Sequence, residues 1–241
     1  MNNKIDKNIV IGQFISNKID KQRTNNEVGE ELLQDLVKDL YQSTHNLKIP
    51  LYILTNEVET FDLPYIHVYK QFIHEKYNTL GIYFIRWIMT YEYISAHPEI
   101  EKVVLMDIND TEILQDPFNL IEENKIYVGD ELFDLSTYII SSDSTLDYVH
   151  DFLVDNSSLQ LLNPGLIAGS RAIILEFLEI YMFMIDRSFY NGNISQFGNF
   201  EMNIFNYIMY NYFDDRIKHG RKISSKFLHF EEKSGSWFKH K

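Results

Sequence analysis

The sequence predicts an α/β fold with a mostly parallel central sheet flanked by helices, and three observations predict it. Short apolar or β-branched runs recur at Ile9-Val-Ile-Gly12, Leu51-Tyr-Ile-Leu-Thr55 and Val103-Val-Leu-Met106. Between the first two lies a stretch of helical periodicity, so strand, helix and strand follow at the spacing of a βαβ unit. The third run has no polar alternation, as expected of a strand covered on both faces.

Taken in order, Ile9 to Gly12 is the first strand and Lys18 to Arg23 a polar loop. Thr24-Asn-Asn-Glu27 fits a capping box, in which the hydroxyl and the acid three residues on satisfy each other's backbone donors. Val28, Leu32, Leu36 and Leu40 then recur at helical spacing, with Leu33 and Val37 on the same stripe. Pro50 breaks the pattern, Leu51 to Thr55 is the second strand and Tyr65 to Tyr69 the third. From Leu80 to Ala96 the spacing predicts a helix that is apolar nearly all round, hence buried. Arg86 sits in its middle. A lone buried guanidinium costs several kcal/mol, so Arg86 either closes an internal salt bridge with an acidic side chain or faces the phosphate or the acidic cluster.

The Val103 to Met106 run ends abruptly on Asp107, with Asp110 three residues later and Asp116-Pro117 beyond. Carboxylates at the exit of such a strand sit where open α/β sheets bind ligands. Two acids so close repel each other and are best tolerated when solvated or sharing a cation. Asp107 and Asp110 are therefore candidate metal ligands; the plain alternative for Asp107 is a turn-forming Asp. Asp116-Pro117 fits an N-cap followed by Pro at the first helical position, a structural role.

Lys125 to Gly129 is a further strand, and Asp130-Glu131 after it either line a cleft or form a solvated loop. Ser136 to Asp155 is polar without a clear period. Leu161 to Ser170 is punctuated by Gly165 and Gly169, which permit close backbone approach. A long helix spans about Arg171 to Asp186, a loop Asn191 to Asn199, and an aromatic-rich helix about Phe200 to Tyr212. Phe227 to Phe230 reads as a last strand carrying His229, followed by Lys233, Gly235 and Trp237.

The 241 residues show no internal repeat and no linker, which predicts one domain over 1–241. Hydrophobic residues make up 45%, enough for a sizeable core, and 16 Tyr with 17 Phe serve mainly to fill it. A net charge of −13 argues against a nucleic-acid binder, which needs a basic footprint, but allows a nucleotide whose phosphates a cation neutralises. Without cysteine there is neither a disulfide nor a thiolate metal site. The N-terminus lacks the apolar core of a signal peptide, and no apolar run approaches the ~20 residues of a membrane span. The expectation is a soluble, cytoplasmic protein.

Several stretches together resemble the nucleotide-sugar glycosyltransferases of GT-A fold, especially the glycogenin and galactosyltransferase-like family 8 group. Val103 to Phe118 is similar to the family's metal-binding segment, and the helix bearing Arg86 to its arginine-containing helix. Asn163-Pro-Gly165 to Gly169 resembles its Asn-x-Gly strand. Glu201-Met-Asn-Ile-Phe-Asn206 resembles its Asp-Gln or Asp-Met helix start, with Glu201 replacing Asp. His229 to Trp237 resembles its C-terminal His-Gly-Lys-Pro-Trp element. The resemblance implies a single GT-A (Rossmann-like) domain that transfers a hexosyl or pentosyl group from a nucleoside-diphosphate sugar, such as a UDP-sugar, with retention. The acceptor, whether glycan, protein or small molecule, is left open. It implies a Mn²⁺ or Mg²⁺ cofactor on Asp107, Asp110 and His229. It implies donor contacts at Ile11, Gly12, Arg86, Asp107, Ile108, Asn109, Asn163, Gly165 and Lys233, and a catalytic place for Glu201, whose structural alternative is a first-turn helix acid.

There are departures. The family's Asp-x-Asp is here Asp107-Ile-Asn-Asp110, one residue longer, so either Asp107 or Asn109 partners Asp110. The tail reads Lys233-Ser-Gly-Ser-Trp237 in place of Lys-Pro-Trp. Two other classes are a catalytically inactive relative that binds a sugar nucleotide or a partner protein, and a metal-dependent phosphate hydrolase with Asp107 as nucleophile.

Overall fold

A computed structural model describes residues 5–16, 33–56, 63–226, 231 and 234–240. Strand β1 is Asn8–Phe14. Helices α1, Leu33–Leu36, and α2, Lys38–Leu47, follow; the backbone hydrogen bonds of Val37 to Leu33 and of Tyr41 to Val37 carry the spiral across the junction. Leu33, Val37 and Leu40 are the buried stripe that the spacing predicts. The capping box at Thr24 and the loop before it lie outside the described residues. Then come β2, Leu51–Thr55, β3, Ile66–Lys70, and α3, Ile82–Ala96, whose middle, Phe84 to Thr90, is buried without a break. The order continues with β4, Lys102–Met106, β5, Thr111–Ile113, and β6, Ile126–Asp134. The polar stretch after it folds into two helices, α4, Tyr138–Ser141, and α5, Asp147–Asp155. β7, Gln160–Ser170, leads straight into α6, Arg171–Tyr190. α7 is Met202–Tyr212, β8 Ile217–Lys218 and β9 Phe238–His240. No helix among the described residues is long and apolar enough to cross a membrane.

Seven strands form one sheet in the order β3-β2-β1-β4-β7-β6-β8, and β5 and β9 form a second, two-stranded one. The β1–β2, β2–β3, β1–β4 and β6–β8 pairs are parallel, while β7 runs antiparallel to both β4 and β6. The sheet is thus mostly parallel and Rossmann-like. Side chains alternate across it: Ile9 and Ile11 join the core under α3, α5, α6 and α7, whereas Val10, Val104 and Met106 join the core under α1, α2 and the small sheet.

Two local features correct the sequence reading. Asp116 accepts from the Phe118 backbone N–H at 2.9 Å, but what it caps is a single turn closed on the Pro117 carbonyl; the chain then runs to β6 with no helix. The stretch Ser136 to Asp155 hides a nine-residue helix whose inward positions, Val149 and Leu153, stand one turn apart. That stripe is too short to show as a period.

Candidate metal centre

The sheet order reverses beside β1, with β2 and β3 on one side and β4 on the other, and open α/β sheets bind ligands at the strand ends beside such a reversal. Asp107 directly follows β4 there. Its backbone N–H bonds to the Gly165 carbonyl at 2.9 Å, and its carbonyl accepts from the Thr111 hydroxyl at 2.5 Å, closing the bend that carries Asp110. Ile108 in that bend packs over Gly12, where a β-carbon would collide with its Cγ2. Ile11, beside Gly12, is wholly inside the core, and Asn109 is half-buried.

β5 starts immediately after Asp110 and pairs antiparallel with β9, so that Thr111 faces His240. The tail is fixed from its other side by Ser225: its hydroxyl accepts from the His240 N–H at 2.8 Å and donates to the His240 carbonyl at 3.0 Å. As a result Asp107, Asp110 and His240 each offer a ligand atom within 4.8 Å of the others. The imidazole is 1% exposed, the two carboxylates about a third. Burial pushes the His240 pKa down to about 4; the nearby Asp107 charge opposes this and Arg86 adds to it. The ring is therefore neutral at pH 7, and its 3.7 Å approach from Nε2 to Asp110 Oδ1 is an alignment of two donor atoms, not an ion pair. Two carboxylates at this spacing repel by roughly 3–4 kcal/mol at an effective dielectric of about 20, so the group is suited to a cation. His229 and Lys233 lie outside the described residues; the imidazole the structure brings to the acids is His240. Its signal in the sequence is the phase of Phe238 and His240 on a strand whose Lys239 alternates outward.

Arg86 resolves its two possibilities by meeting both. Nη1 pairs with Asp107 Oδ1 and Nη2 with Glu201 Oε1, and the residue is only 8% exposed. Burial works against its charge, but Glu201 and then Asp107 outweigh it and hold the guanidinium more firmly protonated than usual. The guanidinium also stacks on Trp87, 4.3 Å from the ring centroid. Glu201, 2% exposed, stands at the N-terminus of α7 without capping it.

On β7 the register against β6 jumps from Val128–Ile167 to Gly129–Asn163. The bulge takes in Pro164, which has no N–H to lose, and Gly165. Asn163 Oδ1 closes it by accepting from the Gly165 N–H at 2.6 Å. A β-carbon on Gly165 would stand 2.5 Å from Asp107 Oδ2, so only glycine leaves room for that carboxylate. Asn163 Nδ2 donates to Glu131, whose carboxyl burial raises to about pH 7. Neither acid after Gly129 lies in a solvated loop: both stand in β6, and Asp130 is buried with His219 Nδ1 2.9 Å from its carboxylate.

No family model matches this sequence, and no curated protein matches it.

Proposed function

We propose that this protein is a divalent-metal-dependent glycosyltransferase that takes its sugar from a nucleoside-diphosphate sugar, most simply a UDP-sugar, and transfers it with retention. The observation that carries the reading is the Asp107–Asp110–His240 group beside the reversal of the sheet. Two carboxylates and one neutral imidazole form a donor set that fits Mn²⁺ or Mg²⁺, and the imidazole favours Mn²⁺. The glycine at 165, where any side chain would displace the Asp107 carboxylate, supports the same fit. When bound, the cation supplies Lewis acidity to the departing diphosphate.

The remaining roles belong to the chain. Arg86, kept charged by the buried Glu201 and the half-buried Asp107, would be a fixed cation beside a bound diphosphate and would need no reorganisation as charge develops. Asp107 divides its two oxygens, Oδ1 toward Arg86 and Oδ2 toward the Gly165 backbone. Gly12, Ile108, Asn109, Asn163 and Gly165 are the donor contacts of this reading; Ile11, wholly inside the core, backs them from behind. Glu201 is the acid assigned to contact the sugar or its acceptor. A phosphate hydrolase would need Asp107 free to attack phosphorus, and its pairing with Arg86 argues against that role.

Titration calorimetry tests the reading. UDP is expected to bind only with Mn²⁺ present, and Asp110→Ala to remove that dependence. UDP binding by the wild type without any metal would sink the metal assignment.

A further inference from the structure

Glu201 is an acid at a helix N-terminus that does not cap its helix. Its carboxylate turns instead into the core to meet Arg86, which requires the chain just ahead of it to be held in place. Phe197 and Phe200 pack on α3 through Phe84 and Tyr83, and four hydrogen bonds of that chain converge on one side chain. The carboxylate of Asp143, in the connection between α4 and α5, accepts from the backbone N–H of Asn199 at 2.9 and 2.8 Å, from Asn199 Nδ2 at 3.0 Å and from the backbone N–H of Phe200 at 2.8 Å. Gly198, at φ +88°, lies directly against it, and a β-carbon there would come within 2.5 Å of Asp143 Oδ2. From the far side of Glu201, Asn203 Nδ2 returns to the Ile140 carbonyl at 3.2 Å and the Asp143 carbonyl at 3.5 Å. Glu201 is thus bracketed by two sets of bonds that both end on residues 140–143.

We propose that Asp143 is a positioning residue: it clasps the loop ahead of α7, sets the Glu201 carboxylate against Arg86, and through Arg86 governs how much of the Asp107 charge is open to a cation. The last step rests on the reading of Asp107, Asp110 and His240 as a cation site. If the clasp is released, Glu201 leaves Arg86, the buried guanidinium falls back on Asp107 alone, and cation affinity drops.

Two measurements test this, one with metal and one without. In the metal-free protein, the side-chain Nε–H resonance of Arg86 in a ¹⁵N–¹H spectrum is expected to move in Asp143→Ala toward its position in Glu201→Gln. By calorimetry, Asp143→Ala is expected to raise the Mn²⁺ dissociation constant roughly tenfold, about 1.4 kcal/mol, and to change it less than twofold when Glu201→Gln is already present. A positioning residue acts only through the residue it positions, so the second substitution has nothing left to remove. If Asp143→Ala does not fold, Asp143→Asn, which keeps one accepting oxygen, is read the same way with smaller changes. An unmoved Arg86 resonance, or the same loss of affinity in both backgrounds, overturns the proposal. A wild type that binds no Mn²⁺ while the Arg86 resonance moves overturns the cation site and leaves the clasp standing.

Discussion

His240 enters the fold as a neutral ring and stays neutral until the pH is far below the ordinary histidine range. Its folded pKa of about 4 lies under the ordinary 6.5. Between those values the unfolded chain takes up a proton that the folded chain refuses, so stability is full above about pH 6.5 and falls as the pH drops toward 4. For so buried a ring the loss is on the order of 3 kcal/mol. Urea midpoints at pH 7 and pH 4.5 check this: the acid-side loss should shrink clearly in His240→Gln, and an unchanged loss would assign it to other groups. The same residue shows where reading from sequence stops. Asp107 and Arg86 are legible because each contradicts its surroundings, an acid ending an apolar strand and a cation inside an apolar helix. His240 contradicts nothing local; its partner Asp110 is brought to it only by strand pairing between distant parts of the chain.

At the scale of elements, that pairing is the part of the site most open to damage. β9 is three residues long and is held by Trp237 just before it, whose ring is 3% exposed and lies 4.9 Å from that of Tyr127. Its backbone carbonyl also accepts from the Leu114 N–H at 2.8 Å, just past β5. Trp237→Ala should cost about 3–5 kcal/mol by opening this contact and, by loosening the strand behind it, should weaken Mn²⁺ binding as much as His240→Gln does. Chemical denaturation and calorimetry on one preparation check both; lost stability with unchanged Mn²⁺ affinity would separate the tail from the site. Elements were legible in the sequence where the apolar pattern was long. α3 and α6 span four turns or more of mainly apolar residues, and β2 and β4 carry the unbroken apolar runs 51–54 and 103–106. α5 was not legible, and neither was the bulge in β7, which shows only in the register against β6 and in the Asn163 side chain that closes it.

Across the whole molecule, the sheet order was beyond local reading, because β7 inserts antiparallel between β4 and β6 by a choice of partners and not by its own composition. This topology is also what makes the candidate centre global. Asp110 and His240 stand 130 positions apart (240 − 110), and a cation between them would tie the bend after a central strand to β9. No such site exists in the unfolded chain, so binding energy appears as folding stability. At about a hundredfold excess over its dissociation constant, Mn²⁺ should add about 2.7 kcal/mol, a rise of roughly 5–10 °C in Tm for a chain of this size. The rise should vanish in Asp110→Ala. With a net charge of −13, a nonspecific cation effect is the rival explanation, and it predicts otherwise. Screening of surface acids would act alike for Mn²⁺ and Ca²⁺, would survive Asp110→Ala and would fade in 0.5 M KCl, because exposed charges are screened within ~4–5 Å at that ionic strength. A site built from two carboxylates and a buried neutral imidazole would favour Mn²⁺ over Ca²⁺, would need Asp110 and would keep most of its shift in salt.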